Sequence, residues 1–219
     1  MKKNGCTCPS DIQYRKKVVS IMKRTQRQDP FFDRQPPLSF LDDLTSPVHR
    51  TKPGHYGSSP MEPGEIDAHG LYIAEAYPAD PKGLLETIYE DFTRFAGIYG
   101  IAGDTYPIRL CRGETDCFEA YRVRITAEET TITAADTEGI RRGLVWLEDT
   151  LRRRENAFLT PGEVCRKPHI RARITRCFFS PINRPPKYGD ELSDDIDYYP
   201  EEYLNRIMHD GSNGVWIYT

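Results

Sequence analysis

Residues 119–134 read Glu-Ala-Tyr-Arg-Val-Arg-Ile-Thr-Ala-Glu-Glu-Thr-Thr-Ile-Thr-Ala. Tyr121, Val123 and Ile125 alternate with Arg122, Arg124 and Thr126, a period of two that marks a strand with one buried face. Ala127-Glu128-Glu129 has room only for a hairpin loop. Beyond it Ile132 and Ala134 point one way, and Thr131 and Thr133 the other. A helix follows, capped by Asp136 or Thr137, whose short side-chain oxygens accept from the free amides of a first turn. Ile140, Leu144, Leu147 and Leu151 fall on one face of it. Gly139 and Gly143 each cost about 1 kcal/mol in a helix interior. Either they let the helix approach the sheet closely or they are merely tolerated. Arg141, Arg142 and Arg152–Arg154 are assigned to the wet face.

Working outward, Leu71–Ala76 reads as a strand and Lys82–Gly100 as a helix. The helix carries Leu85, Ile88, Phe92, Phe95 and Tyr99 on one stripe and a terminating glycine. Tyr106–Arg112 is another strand. The order strand, helix, three strands, helix predicts an α+β fold, a mixed sheet with helices on one face. Residues 155–170 read as a connection. Ile170–Phe179 reads as a strand, broken by the proline-rich run from Ser180 to Pro186. Pro200 suits a helix start, Tyr203, Leu204, Ile207 and Met208 give that helix an apolar face, and Gly211 ends it. Val215–Tyr218 is a last strand. Strand, helix and strand make one βαβ unit.

Glu119-x-Tyr121-x-Val123-x-Ile125, then Ile132-x-Ala134, Gly139, Gly143-Leu144 and Leu147, resemble the small domain that precedes the catalytic barrel in family-20 glycoside hydrolases, the β-N-acetylhexosaminidases. Related small domains precede the barrels of α-glucuronidases. The resemblance covers about residues 68–219 and implies an α+β accessory domain over 68–165 and the first βαβ unit of an incomplete (β/α)8 barrel over 166–219; before them, residues 1–67 read from their own composition as a helix and a Pro/Gly-rich extended segment. An eight-fold barrel takes about 250 residues, so the chain reads as the front of a longer hydrolase, with the remainder of the barrel as its partner. Residues 171–179 and 215–218 are then expected to be exposed and adhesive.

In the family resembled, an Asp-Glu pair at the fourth barrel strand orients the substrate's acetamido group and protonates the leaving oxygen. Asp190-Glu191 has the right letters but lies after the first strand, so no catalytic residue is carried over and the chain alone is expected to be inactive. The family's first barrel strand holds sugar hydroxyls through an arginine. Arg171, Arg173 and Arg176 compete for that place, and Arg171-Ala172 stands where the family has Arg-Gly, which selects Arg171. Asn183 and Arg184 follow the strand's carboxyl end, where barrels bind their ligands. These three are the candidate substrate-binding residues, with a carbohydrate as the substrate of the complete enzyme. Trp216 is read either as a sugar-stacking ring or, as is more usual for a strand tryptophan, as core.

Composition narrows the rest. The 219 residues carry a net charge of −3, 38% hydrophobic and 29% charged residues. That gives no electrostatic case for nucleic acid or an anionic membrane as partner. No apolar run approaches the roughly 20 residues of a membrane span. Met1-Lys2-Lys3 has no apolar core behind it, so it is not a secretory signal, and a cytoplasmic protein with reduced cysteines is expected. Cys6-x-Cys8 lacks a second pair at zinc spacing; no metal and no cofactor are expected. His169 and His209 are single, without partner spacing. Residues 9–27 read as a helix, and residues 28–67 as an extended stretch wrapping a neighbouring surface. The rival reading is a complete non-catalytic carbohydrate-binding or protein-interaction module.

Overall fold

The computed structural model describes residues 40–176, 182–184, 187–189 and 195–217, with backbone alone for 40, 41, 182–184 and 187–189. The helix expected over 9–27 lies outside these residues, as do Asp190 and Glu191. In chain order the elements are α1 (Phe40–Leu44), a 3-10 turn (Val48–Arg50), β1 (Ile66–Asp67), β2 (Leu71–Glu75), α2 (Glu86–Tyr99), β3 (Tyr106–Arg112), β4 (Tyr121–Ile125), β5 (Thr130–Ala134), α3 (Thr137–Arg154), β6 (Phe158–Leu159), β7 (Gly162–Arg166), β8 (Ile174–Thr175), β9 (Ile182–Arg184), β10 (Lys187–Gly189), α4 (Glu201–His209) and β11 (Gly214–Val215). They divide into two compact units, one of residues 47–175 with 201–215 and one drawn from the remaining described residues.

The larger unit is built on a five-stranded mixed sheet in the order β2-β3-β5-β4-β7. β2, β3 and β5 run parallel, and β4 runs antiparallel to both β5 and β7. Period-two alternation sets its two faces. Tyr106, Ile108 and Leu110 of β3, Val123 and Ile125 of β4, and Ile132 and Ala134 of β5 are buried in one core. Ile88, Phe92, Phe95 and Tyr99 of α2 and Ile140, Leu144, Leu147 and Leu151 of α3 close it from that side. The opposite face carries Arg109, which pairs with Glu75 and Glu129. This is the α+β arrangement of sheet and helices read from the sequence.

Local chemistry explains the element ends. Asp136 accepts from Gly139 N at 2.8 Å and so caps α3. Gly100, at φ +72°, ends α2 in the left-handed conformation that glycine takes without steric penalty. Gly143 marks a close approach: a Cβ there would drive into Ile132 Cγ2, and one at Gly139 would sit 2.5 Å from Ala120 O. Of the two readings the sequence left open for these glycines, close approach is the one found.

Several assignments change. The described part of 28–67, read as extended, holds α1, the 3-10 turn and β1. Residues 155–170 are more than a connection: Phe158–Leu159 pairs with Ile66–Asp67, and Gly162–Arg166 is the fifth strand of the sheet. Arg142 is not on the wet face; its side chain is 10% exposed and paired with Glu119. The expected strand 170–179 is ordered as a strand only at Ile174–Thr175, and residues 177–179 are outside the described set.

Residues 47–67 lie along α2 and α3. Arg50 pairs with Asp91 at 2.6 Å, Tyr99 Oη donates to Thr51 O at 3.2 Å, and the Tyr56 ring meets Tyr99 edge-on with centroids 4.7 Å apart. Arg154 grips Glu65 with Nε–Oε1 2.6 Å and Nη2–Oε2 2.7 Å.

Candidate functional site

β8, α4 and β11 form a βαβ unit: Ile174 and Thr175 pair in parallel with Gly214 and Val215. Glu201 and Glu202 occupy the positive end of α4 and Arg206 and His209 its negative end, as the helix dipole favours. Ile170 and Ile174 are exposed, 66% and 62%. Parallel strands are normally covered on both faces.

A buried carboxylate anchors this unit. Glu119 sits at φ +66°, with its side chain fully buried. Its Oε2 accepts from Arg173 Nη2 at 2.5 Å, and its Oε1 accepts from Asn213 Nδ2 at 3.2 Å. Arg142 Nη2 lies 3.6 Å from Oε1 and donates to Ser212 O at 2.5 Å, while its Nη1 donates to Met208 O at 2.9 Å. Burial pushes the Arg142 pKa down and Glu119 pulls it back up, leaving it below the usual arginine value. One carboxylate therefore ties the start of β4 to α3, to β8 and to the turn before β11.

A second polar cluster joins α4 to α3 and to the 3-10 turn. His209 Nδ1 donates to Asp149 Oδ1 at 2.9 Å, and its Nε2 lies 3.3 Å from Glu148 Oε2. Its ring stacks on His49, with centroids 4.0 Å apart and planes 4° from parallel. Arg152 Nη1 donates to His49 Nδ1 at 3.2 Å. Burial works against the charge on His209, but the hydrogen bond to Asp149 and the Glu148 carboxylate beside Nε2 outweigh it and push its pKa up to about 9. Burial, then the adjacent His209 and Arg152, push that of His49 down to about 4. Burial raises that of Glu148. His49, Asp149 and His209 place donor atoms within 4.8 Å of one another. Parallel stacked imidazoles, however, direct their lone pairs side by side rather than to one point, and Arg152 occupies His49 Nδ1. The trio does not fit a metal ion; a protonated His209 beside Asp149 and a neutral His49 fit it.

The residues after the two parallel strands form the remaining feature. Arg176 follows β8 and Trp216 follows β11. The guanidinium lies over the indole, 4.9 Å from its centroid. Tyr199 Oη donates to Trp216 O at 3.2 Å. Trp216 is exposed, not in the core as the sequence suggested. The indole is exposed and carries the Arg176 cation over its ring.

Of the sequence candidates, Arg171 is exposed and precedes β8, with its carbonyl accepting from Asn213 Nδ2 at 2.7 Å. Asn183 and Arg184 lie on β9, facing Tyr188 and Lys187 of β10 in an antiparallel hairpin; their side chains are outside the described set. Sequence reasoning missed His49 altogether and gave His209 no partner. The signal was absent because the partners are distant in the chain, at 49, 148 and 149.

No protein-family profile and no curated protein matches this chain. Solved structures do. A β-N-acetylhexosaminidase from Bacteroides fragilis is 20% identical over 53% of this chain and 24% of its own, with a TM-score of 0.37. A family-20 exo-β-N-acetylglucosaminidase from Vibrio harveyi, solved with N-acetylglucosamine, is 16% identical over 53% of this chain and 19% of its own, with a TM-score of 0.40. A β-hexosaminidase from Streptomyces plicatus, solved with its product, is 18% identical over 60% of this chain and 28% of its own, with a TM-score of 0.38. The chain thus spans under a third of the length of each. Among the described residues no helix is long and apolar enough to cross a membrane.

Proposed function

We propose that the chain supplies the accessory domain and the opening βαβ unit of a glycoside hydrolase barrel, with a carbohydrate as substrate of the complete enzyme. The observation that carries this reading is the Arg176–Trp216 pair, set directly after two adjacent parallel strands. Barrels bind their ligands at the carboxyl ends of strands. An indole face suits the apolar face of a pyranose, and a guanidinium donates well to hydroxyls or to a uronate carboxylate. The role of sugar contact therefore goes to Arg176 rather than to Arg171, which precedes β8, with Asn183 and Arg184 kept as further candidates. The exposed Ile170 and Ile174 support the same reading, since further barrel strands would cover them. The catalytic carboxylates then come from strands beyond β11.

The test uses the only two tryptophans, Trp146 and Trp216. In a Trp146→Phe background, emission reports Trp216 alone. Titration with N-acetylglucosamine or glucuronate should give a saturable change that Arg176→Ala abolishes. In the full-length gene product Arg176→Ala should lower kcat/KM on aryl glycosides at least tenfold. Unchanged emission with both sugars, together with undiminished turnover in the variant, overturns the reading.

A further inference from the structure

The stacked histidines lie outside the proposed sugar site, and the proposed function makes no use of them. Three elements meet there. His209 is the last residue of α4, Glu148, Asp149 and Arg152 are on α3, and His49 is on the 3-10 turn. The His209 side chain is 2% exposed and that of Glu148 5%.

We propose that the His49–His209 stack is a proton-operated latch that holds α4 on α3, closed while the pair carries one proton and opened by a second proton or by the loss of the first. With one proton, His209 is the cation between two carboxylates, and His49 is neutral, accepting from Arg152. A second proton would put two parallel imidazolium rings face to face at 4.0 Å and set His49 against the Arg152 guanidinium. Loss of the first leaves Glu148 and Asp149 facing each other without their shared cation, one of them almost wholly buried.

The other charged groups around the stack do not remove this dependence. Arg206 of α4 and Arg152 of α3 both work against a charge on His49. Arg50 of the 3-10 turn is committed to Asp91 of α2 and to Glu201. Tyr99 of α2 lies beside Arg152 and donates to Thr51 O. Asp149 is the nearest anion to His49, at 4.0 Å, and it is already donated to by His209.

The sign follows from linkage. An undocked imidazole titrates near 6.5. His209 is raised to about 9, so what it adds to docking is complete below 6.5 and drains away as pH rises to 9. His49 is lowered to about 4, so what it adds is complete above 6.5 and drains away as pH falls to 4. Docking is thus strongest near pH 6.5 and weakens by up to about tenfold per pH unit on either side.

Pulse-labelled hydrogen exchange on the whole chain reads this directly, by comparing α4 amides with the α3 core amides of Leu144 and Leu147 at pH 4, 6.5 and 9. Protection of α4 should fall by at least about tenfold at both extremes while α3 holds. His49→Phe keeps a stacked ring but takes no proton, so it should abolish the acid limb and keep the alkaline one. Histidine Cε1–H resonances of the wild-type chain give a readout free of any folding defect: one histidine titrating well above 6.5 and one well below. Two histidines both titrating near 6.5, α4 protection that is flat across the range or falls in step with α3, or an acid limb surviving in His49→Phe overturns the proposal.

Discussion

Arg173 reaches across from the residue before β8 and donates to the buried carboxylate of Glu119, at the head of β4, at 2.5 Å. The two are 54 residues apart in sequence, and this bond joins the βαβ unit to the body of the sheet. Removing one partner of a buried pair typically costs about 3–5 kcal/mol, because the other charge is left uncompensated. Glu119→Ala should therefore destabilise by roughly 3 kcal/mol in urea unfolding. Part of the loss is that Arg142, also buried, keeps only the carbonyls of Met208 and Ser212. A loss under about 1 kcal/mol would show that the cluster adds little to docking.

The two kinds of helical glycine separate packing from propensity. At Gly143 a new methyl meets Ile132, whereas at Gly97 nothing lies within 4 Å. Gly97→Ala should stabilise by about 0.5–1 kcal/mol, the helix-propensity gain alone. Gly143→Ala should destabilise by about 1–3 kcal/mol despite the same gain, because α3 has to back away from β5. Denaturant midpoints of the two variants should move in opposite directions.

The cap on α3 serves twice. Asp136 Oδ1 accepts from Gly139 N at 2.8 Å, and Oδ2 accepts from Glu119 N at 3.2 Å. Asp136→Ala should cost about 1–2 kcal/mol, toward the upper end for a cap because a second backbone amide also loses its acceptor. Asp136→Asn, which keeps an acceptor oxygen, should recover most of this, as thermal melts of the pair will show.

What the sequence disclosed and what it hid follow from the range of the physics. β4, β5 and α3 were readable because each buries one face, so that its own residues carry the period: Val123 and Ile125, Ile132 and Ala134, Ile140 to Leu151. β7 was not, because Gly162–Arg166 is an edge strand that buries none of its five residues fully and so carries no alternation. Arg142 read as a surface residue because the acid that lets it stay charged indoors lies before β4, on the far side of a hairpin. The His49–His209 stack is hidden for the same reason. Of the three competing arginines the sequence selected Arg171, on the likeness of Arg171-Ala172 to Arg-Gly; the limits of β8 place Arg171 before the strand and Arg176 after it. The core reading of Trp216 was favoured over the sugar-stacking one because strand tryptophans usually are buried; Trp216 is exposed and stands beyond the two-residue strand β11.

The last prediction concerns the clamp between Arg154 and Glu65. Its two parallel hydrogen bonds, at 2.6 and 2.7 Å, have the fork geometry that makes arginine–carboxylate pairs strong. The hydrogen bond from Arg154, then the backbone amide of Glu62, hold the Glu65 carboxyl down at about 2, well below the usual glutamate value. A depressed carboxyl adds stability above its unfolded pKa and loses it as pH falls toward the folded one. The clamp should therefore stay closed at pH 4 and open only as pH approaches 2. Arg154→Gln should return the Glu65 titration, followed by its carboxyl carbon resonance, to the ordinary range near 4.3. In that variant the β1–β6 pairing beside the clamp should lose exchange protection already at pH 4, while Leu144 and Leu147 in α3 keep theirs. Equal protection of Ile66 and Leu159 in variant and wild type at pH 4 would show that the pairing stands without the clamp.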